Sequence, residues 1–180
     1  VANPISSESL VEMLESQFSE PIHSVCLTGG EPLCQADFLK EFIPLLKSHG
    51  LTVFLETNGT LPHELEKVVD TIDIIAADIK LPSISKQAID FSKVEEFLKL
   101  ASRKKVFVKI VVSSLIDIKE FNEAIDLIHR ISADIPLVIQ PISAKEKAAG
   151  AVLLSLQEQA LKKLKNVFII PQIHKLLGFK

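Results

Sequence analysis

Cysteine is scarce in this chain and its basic residues are not gathered into a stripe, and each shortage removes a class of function. Only Cys26 and Cys34 carry thiols among 180 residues. Two thiols cannot build a four-cysteine zinc or iron-sulfur site, and they offer no disulfide framework. No apolar run approaches the roughly 20 residues of a membrane helix, and the polar opening Val1-Ala2-Asn3-Pro4 is not a signal peptide. A cytoplasmic protein without a membrane partner is expected. The net charge is -3, and the basic runs Arg103-Lys104-Lys105 and Lys162-Lys163-Leu164-Lys165 read as solvated helix ends, so no nucleic-acid partner is expected. His23, His49, His63 and His129 show no metal-ligand spacing, and neither a Ser-His-Asp set nor a glycine-rich phosphate loop is present.

What the chain has in excess is apolar residues, 47 % of the total with a mean hydropathy of +0.31. Buried parallel strands account for such a surplus. Helical and strand patterns alternate with a period of about 30 residues, the length of a βαβ unit. Helices are expected over Ser7 to Phe18 behind a serine cap, Ala36 to His49 before Gly50, Leu61 to Val69, Val94 to Ser102, Ile118 to Ser132 and Val152 to Leu164. Strands are expected over His23-Thr28, Leu51-Thr57, Ile72-Ile79, Val106-Val112, Pro136-Gln140 and Val167-Ile170. Ser143 to Gly150 reads as a mobile loop. Strands reached through helices make a parallel α/β sheet. Residues 1–180 are read as one domain.

A doubly wound sheet and a curved barrel give similar patterns, and the polar residues discriminate between them. Each predicted strand ends in a polar group: Thr28-Gly29-Gly30-Glu31, Glu56-Thr57-Asn58-Gly59, Asp78-Ile79-Lys80, Ser113-Ser114, Gln140-Pro141 and Pro171-Gln172-Ile173-His174. A doubly wound sheet concentrates such groups at one switch point, whereas a barrel spreads them around its rim. In the first group, glycines directly after a buried strand let a ligand approach the backbone, and Glu31 adds a carboxylate that suits an ammonium. Asp78 and Lys80, two apart on one strand, share a face and form either a rim ion pair or a ligand site. Lys109, set among Val-Phe-Val and Ile-Val-Val, either reaches a ligand cavity or snorkels to solvent.

The Gly-Gly-Glu-Pro loop at Gly29 resembles the cofactor loop of the radical S-adenosylmethionine enzymes, and the later rim groups follow in the same order. The ending Pro171-Gln172-Ile173-His174-Lys175 is similar to that of the 7-carboxy-7-deazaguanine synthases. The resemblance implies a partial (β/α)6 TIM-like barrel of parallel strands. It implies S-adenosylmethionine held by Thr28, Gly29, Gly30, Glu31, Glu56, Thr57, Asn58, Lys80, Ser113 and Gln140, with a pterin-like substrate at Asp78, Lys109, Gln172 and His174. It also implies a [4Fe-4S] cluster, Mg2+ and an external electron donor such as flavodoxin or ferredoxin. The reaction implied is radical ring contraction of 6-carboxy-5,6,7,8-tetrahydropterin with loss of ammonia.

One departure and one absence temper this reading. The synthases more often carry Ser-Pro-Lys where this chain has Asp78-Ile79-Lys80, and Asp-x-Lys resembles the activating enzymes of glycyl radical enzymes. The family's Cys-x3-Cys-x2-Cys does not occur here. The expectation is therefore a truncated core that lacks the first strand and cluster loop, is inactive by itself, and leaves the His23 strand as an open edge on which a homodimer could form. A cluster-free binding or scaffold domain is the reading from another class.

Overall fold

The computed structural model describes residues 5–16, 22–142, 148–173 and 178. Six strands, β1 (Val25–Leu27), β2 (Val53–Thr57), β3 (Ile74–Ile79), β4 (Lys105–Val112), β5 (Leu137–Pro141) and β6 (Val167–Ile169), form one parallel sheet. Its helices are α1 (Ser7–Glu15), α2 (Ala36–Ser48), α3 (Pro62–Glu66), α4 (Pro82–Ser85), α5 (Phe91–Ala101), α6 (Ile118–Ile131) and α7 (Gly150–Leu161). The expected elements recur with shifted ends, and α4, a single turn opened by Pro82, is an addition. Its proline sits where a missing N–H costs nothing. Helix α7 begins at Gly150, inside the segment expected to be a loop, whereas 143–147, like Phe18 and His174, lie outside the described residues.

Strand order decides the architecture. The spatial order β1-β2-β3-β4-β5-β6 is the sequence order. Right-handed crossovers that always step the same way put the long crossover helices on one face of the sheet, unlike a doubly wound sheet, which reverses direction at its centre. Among the described residues the other face carries no long helix, only the α4 turn at its rim, as in a partial barrel. Burial follows this division. Val53, Leu55, Ile75, Ile79, Val108, Ile110, Leu137 and Ile139 point at the helices and are almost wholly shielded from solvent. Alternate residues Phe54, Glu56, Asp78, Lys109, Val111 and Gln140 face the opposite side and are only half-buried. Each large side chain on the helix face contributes about 1.5–3 kcal/mol by burial, so a one-residue slip, which would exchange the faces, is strongly disfavoured.

Amphipathic helices complete the core. In α6, Phe121, Ala124, Ile125, Leu127 and Ile128 recur at helical spacing and are buried, while Asp117 caps the N-terminus by accepting from the Lys119 N–H at 2.7 Å. Helix α1 is capped by Ser6, which accepts from the Ser9 N–H. Strand β1 lies at one edge of the sheet. Beside it an apolar hollow of about 420 Å3 is lined by Leu10 and Leu14 of α1, Val25 of β1, and Phe38, Leu39 and Phe42 of α2. Among the described residues, no helix is long and apolar enough to cross a membrane.

Candidate cofactor and substrate site

Register brings the charged residues together. Leu27 pairs with Leu55, so the loop after β1 lies alongside Glu56, Thr57 and Asn58. Glu56 pairs with Ala76, and two residues further along Asp78 pairs with Lys109. Adjacent strands stand about 4.8 Å apart, which places Glu56, Asp78, Lys80 and Lys109 around one small cavity. That cavity, of about 100 Å3, is also lined by Gly29 and Gly30.

The loop after β1 is shaped by two features. Gly29 adopts φ +132°, a conformation that side-chain-bearing residues rarely take, whereas a Cβ built on Gly30 would meet nothing within 4 Å. The Gly30 backbone is therefore open to a ligand. Glu31 then ties the loop to β2: its Oε1 accepts from the Thr57 hydroxyl at 2.7 Å and the Leu33 N–H at 3.2 Å, and its Oε2 accepts from the Asn58 N–H at 2.8 Å. Thr57, only 4 % exposed, is thereby fixed, and its hydroxyl also accepts from the Gly59 N–H. Asn58 Oδ1 accepts from both the backbone N–H and the hydroxyl of Thr60, holding the turn. The first role of Glu31 is thus internal, a clasp that presents the glycines.

Asp78 carries the site's unsatisfied group. Its Oδ1 is buried and has no hydrogen-bond partner in the structure. Its Oδ2 lies 3.8 Å from Lys109 Nζ, both side chains being 21 % exposed. The rim pair is therefore made across the strands with Lys109, and Lys109 serves the cavity instead of snorkelling away. Desolvation by burial raises the Asp78 carboxyl above its ordinary value; Lys109 and Lys80 oppose this and Glu56 adds to it.

The remaining expected site residues are dispersed. Ser113 is 3 % exposed and its hydroxyl accepts from the Leu115 N–H, a turn-holding role outside the cavity. Gln140 sits opposite Val111 on β5, half-buried and beyond the cavity wall, and Gln172 follows β6. Ala76, an unassuming wall of the cavity, escaped sequence reasoning because nothing in an alanine signals a site.

The chemistry of this donor set fits an amino-acid zwitterion such as the methionyl end of S-adenosylmethionine: carboxylates for the ammonium, lysines for the carboxylate, and an open backbone between them. It does not fit an iron-sulfur cluster or a divalent ion. Among the described residues no three His, Cys, Asp or Glu side chains are grouped to hold a metal. Partial desolvation, then the Glu56 charge, pushes the Cys26 thiol up, the opposite of what a metal thiolate needs.

Fold and site together define a class. Residues 2–131 match the Radical SAM superfamily, to which the chain belongs. Within it, the chain is a member of the 7-carboxy-7-deazaguanine synthase family. It is 37 % identical over 182 residues to the 7-carboxy-7-deazaguanine synthase of Geobacter sulfurreducens, covering 98 % of this chain and 72 % of that one. It is 33 % identical over 180 residues to the synthase of Methanopyrus kandleri, covering 98 % and 69 %. Solved structures agree on the fold alone. A domain of the pyruvate-formate lyase-activating enzyme from Bacteroides vulgatus superposes with TM-score 0.67 at 13 % identity, covering 83 % of this chain and 99 % of that one. Streptococcus suis SuiB bound to S-adenosylmethionine gives 0.68 at 16 %, covering 94 % and 43 %. The activating-enzyme alternative is thus matched in fold, whereas the synthase reading is matched in sequence.

Proposed function

We propose that this single core domain holds S-adenosylmethionine and 6-carboxy-5,6,7,8-tetrahydropterin side by side for conversion of the pterin to 7-carboxy-7-deazaguanine and ammonia. The observation that carries the proposal is the convergence of Glu56, Asp78, Lys80 and Lys109 on the open Gly29-Gly30 backbone. Superfamily members use S-adenosylmethionine with an iron-sulfur cluster, which supplies one-electron chemistry when bound. The chain's own work is placement. The Gly29-Gly30 backbone and Glu56 take the methionyl ammonium, Lys80 takes a carboxylate, and the clasped Thr57-Asn58 turn keeps this edge rigid. Asp78 and Lys109 face the substrate.

The overall conversion is redox-neutral, a ring contraction that expels one nitrogen as ammonia, so its class is that of a lyase. An external electron donor and Mg2+ belong to the proposal, with their contacts outside the described residues, as does a homodimer on the β1 edge. Because the chain holds only two cysteines, these 180 residues by themselves are proposed not to turn over. The test combines an anaerobic assay under dithionite with calorimetry. The expected result is binding of S-adenosylhomocysteine and of 6-carboxypterin without product formation. Binding of neither, or turnover by the chain alone, overturns the proposal.

A further inference from the structure

Lys80 stands where three cavities meet. It lines the small one that it shares with Asp78, a second of about 110 Å3 that it shares with Asn58, Thr60 and Ser85, and a third of about 180 Å3 walled by Ile84 and Val111. Its side chain is exposed, and among the described residues no ion pair or side-chain hydrogen bond fixes its ammonium. The α4 turn borders it, and α4 cannot hold its own position. A single turn of helix makes too few bonds to form alone. It also closes at Lys86 with φ +61°, a left-handed conformation that residues with side chains seldom adopt.

The support comes from outside the site. The Ser83 N–H, a donor that the start of a helix leaves unpaired, donates to Glu120 Oε2 at 2.8 Å, and the Asp117 N–H donates back to the Ser83 hydroxyl at 3.2 Å. Asp117 caps α6 and Glu120 lies in its first turn, so α4 is pinned to a helix of 14 residues whose inner face is set in the core. Before Lys80, Ile79 pairs with Ile110 of β4; after it, Leu81 is wholly buried. The lysine is thus bracketed between a strand and a latch. We infer that Glu120 is a positioning residue for Lys80: through Ser83 it keeps the α4 wall where that wall confines the lysine side chain and aims its ammonium into the site. Once α4 is released, the long side chain spreads into solvent, and a ligand carboxylate must reorder it on binding. The inference rests on the reading of Lys80 as the holder of a carboxylate and extends it to an outer-helix residue that lines none of the three cavities.

The experiment measures the affinity of the full chain for S-adenosylhomocysteine by calorimetry and for 6-carboxypterin by fluorescence, in the wild type, Lys80→Ala, Glu120→Ala, Glu120→Gln and the double variant Lys80→Ala with Glu120→Ala. Glu120→Ala is expected to weaken whichever ligand Lys80→Ala weakens, by about two- to tenfold, the scale of reordering one long side chain. Glu120→Gln keeps an oxygen for the Ser83 N–H and should restore the affinity. With Lys80 already removed, Glu120→Ala should change nothing further, a result that a general structural loss does not produce. Ser83→Ala, which opens only the bond from Asp117, should give a smaller loss that likewise disappears without Lys80, and it carries the test if Glu120→Ala does not fold. An equal loss with and without Lys80, or no loss at all, overturns the positioning role alone. Wild-type affinity for both ligands in Lys80→Ala, or failure of the wild-type chain to bind either, overturns the reading of Lys80 and the positioning role with it.

Discussion

Glu31→Ala tests the clasp between the glycine loop and β2. The carboxylate of Glu31 accepts three hydrogen bonds, of which those from the Thr57 hydroxyl and the Asn58 N–H, at 2.7 and 2.8 Å, join the loop to another strand. Hydrogen bonds to a charged group contribute about 1.5–3 kcal/mol each. The third, from the Leu33 N–H at 3.2 Å, is local and can be replaced by water. Because Glu31 is half-buried, water also recovers part of the loss at Asn58, though Thr57 is sealed. The net expectation is a loss of about 2–4 kcal/mol, or roughly 4–16 °C in Tm for a domain of this size. Glu31→Gln, which keeps one acceptor but turns an amide N–H toward the other donor, should cost about half as much. Urea unfolding at neutral pH reads the stability, and hydrogen exchange at the Asn58 amide reads the clasp itself. A loss under about 0.5 kcal/mol with the Asn58 amide still protected would refute the reasoning.

Three further outcomes follow from the same geometry. Gly30→Val should leave stability within about 0.5 kcal/mol of wild type, since its Cβ meets nothing within 4 Å, yet abolish S-adenosylhomocysteine binding by calorimetry; unchanged affinity would move the cofactor elsewhere. Burial raises the folded-state value of the Asp78 carboxyl despite Lys109 and Lys80, with Glu56 reinforcing the rise. Its stabilising contribution is thus complete below the ordinary carboxylate range and is lost as pH climbs through the raised value, so the stability of Asp78→Asn relative to wild type should improve as pH rises above the ordinary carboxylate range. Chemical unfolding at several pH values checks this, and a flat or falling difference contradicts it. Asp73 behaves oppositely: desolvation alone would raise it, but the hydrogen bonds from Lys47 and the Val53 N–H, with the charges of Lys47 and Lys104, outweigh that and lower it. Asp73→Asn should cost about 1–2 kcal/mol at pH 7, discounted for exposure, with the difference vanishing as pH falls through the depressed value; a pH-independent cost would show that the charge is irrelevant.

Much of the fold is legible in the residues because the underlying signals are local. Gly50 stops α2 with a positive φ, Asp117 and Ser6 mark helix starts, and β-branched runs make strands whatever surrounds them. The strict two-residue period of a strand likewise puts Asp78 and Lys80 on one face from their spacing alone. Element ends differ by a few residues from their expected places, since fraying and capping depend on neighbours. The α4 turn escapes a sequence reading because one turn of helix carries no periodicity, although Pro82 announces its start.

The sequence by itself determined the order of the elements, the faces of each strand and the motif that leads to the cofactor, because these depend on residue types and their spacing along one chain. Partners across strands are a different matter. Which residue of β4 stands beside Asp78 depends on how far one strand slides along its neighbour, and only the packed helices set that register. Tertiary structure therefore decided that Asp78 faces Lys109 more than Lys80, that Glu31 closes on Thr57 and Asn58, and that a consecutive strand order leaves one face of the sheet open for a ligand.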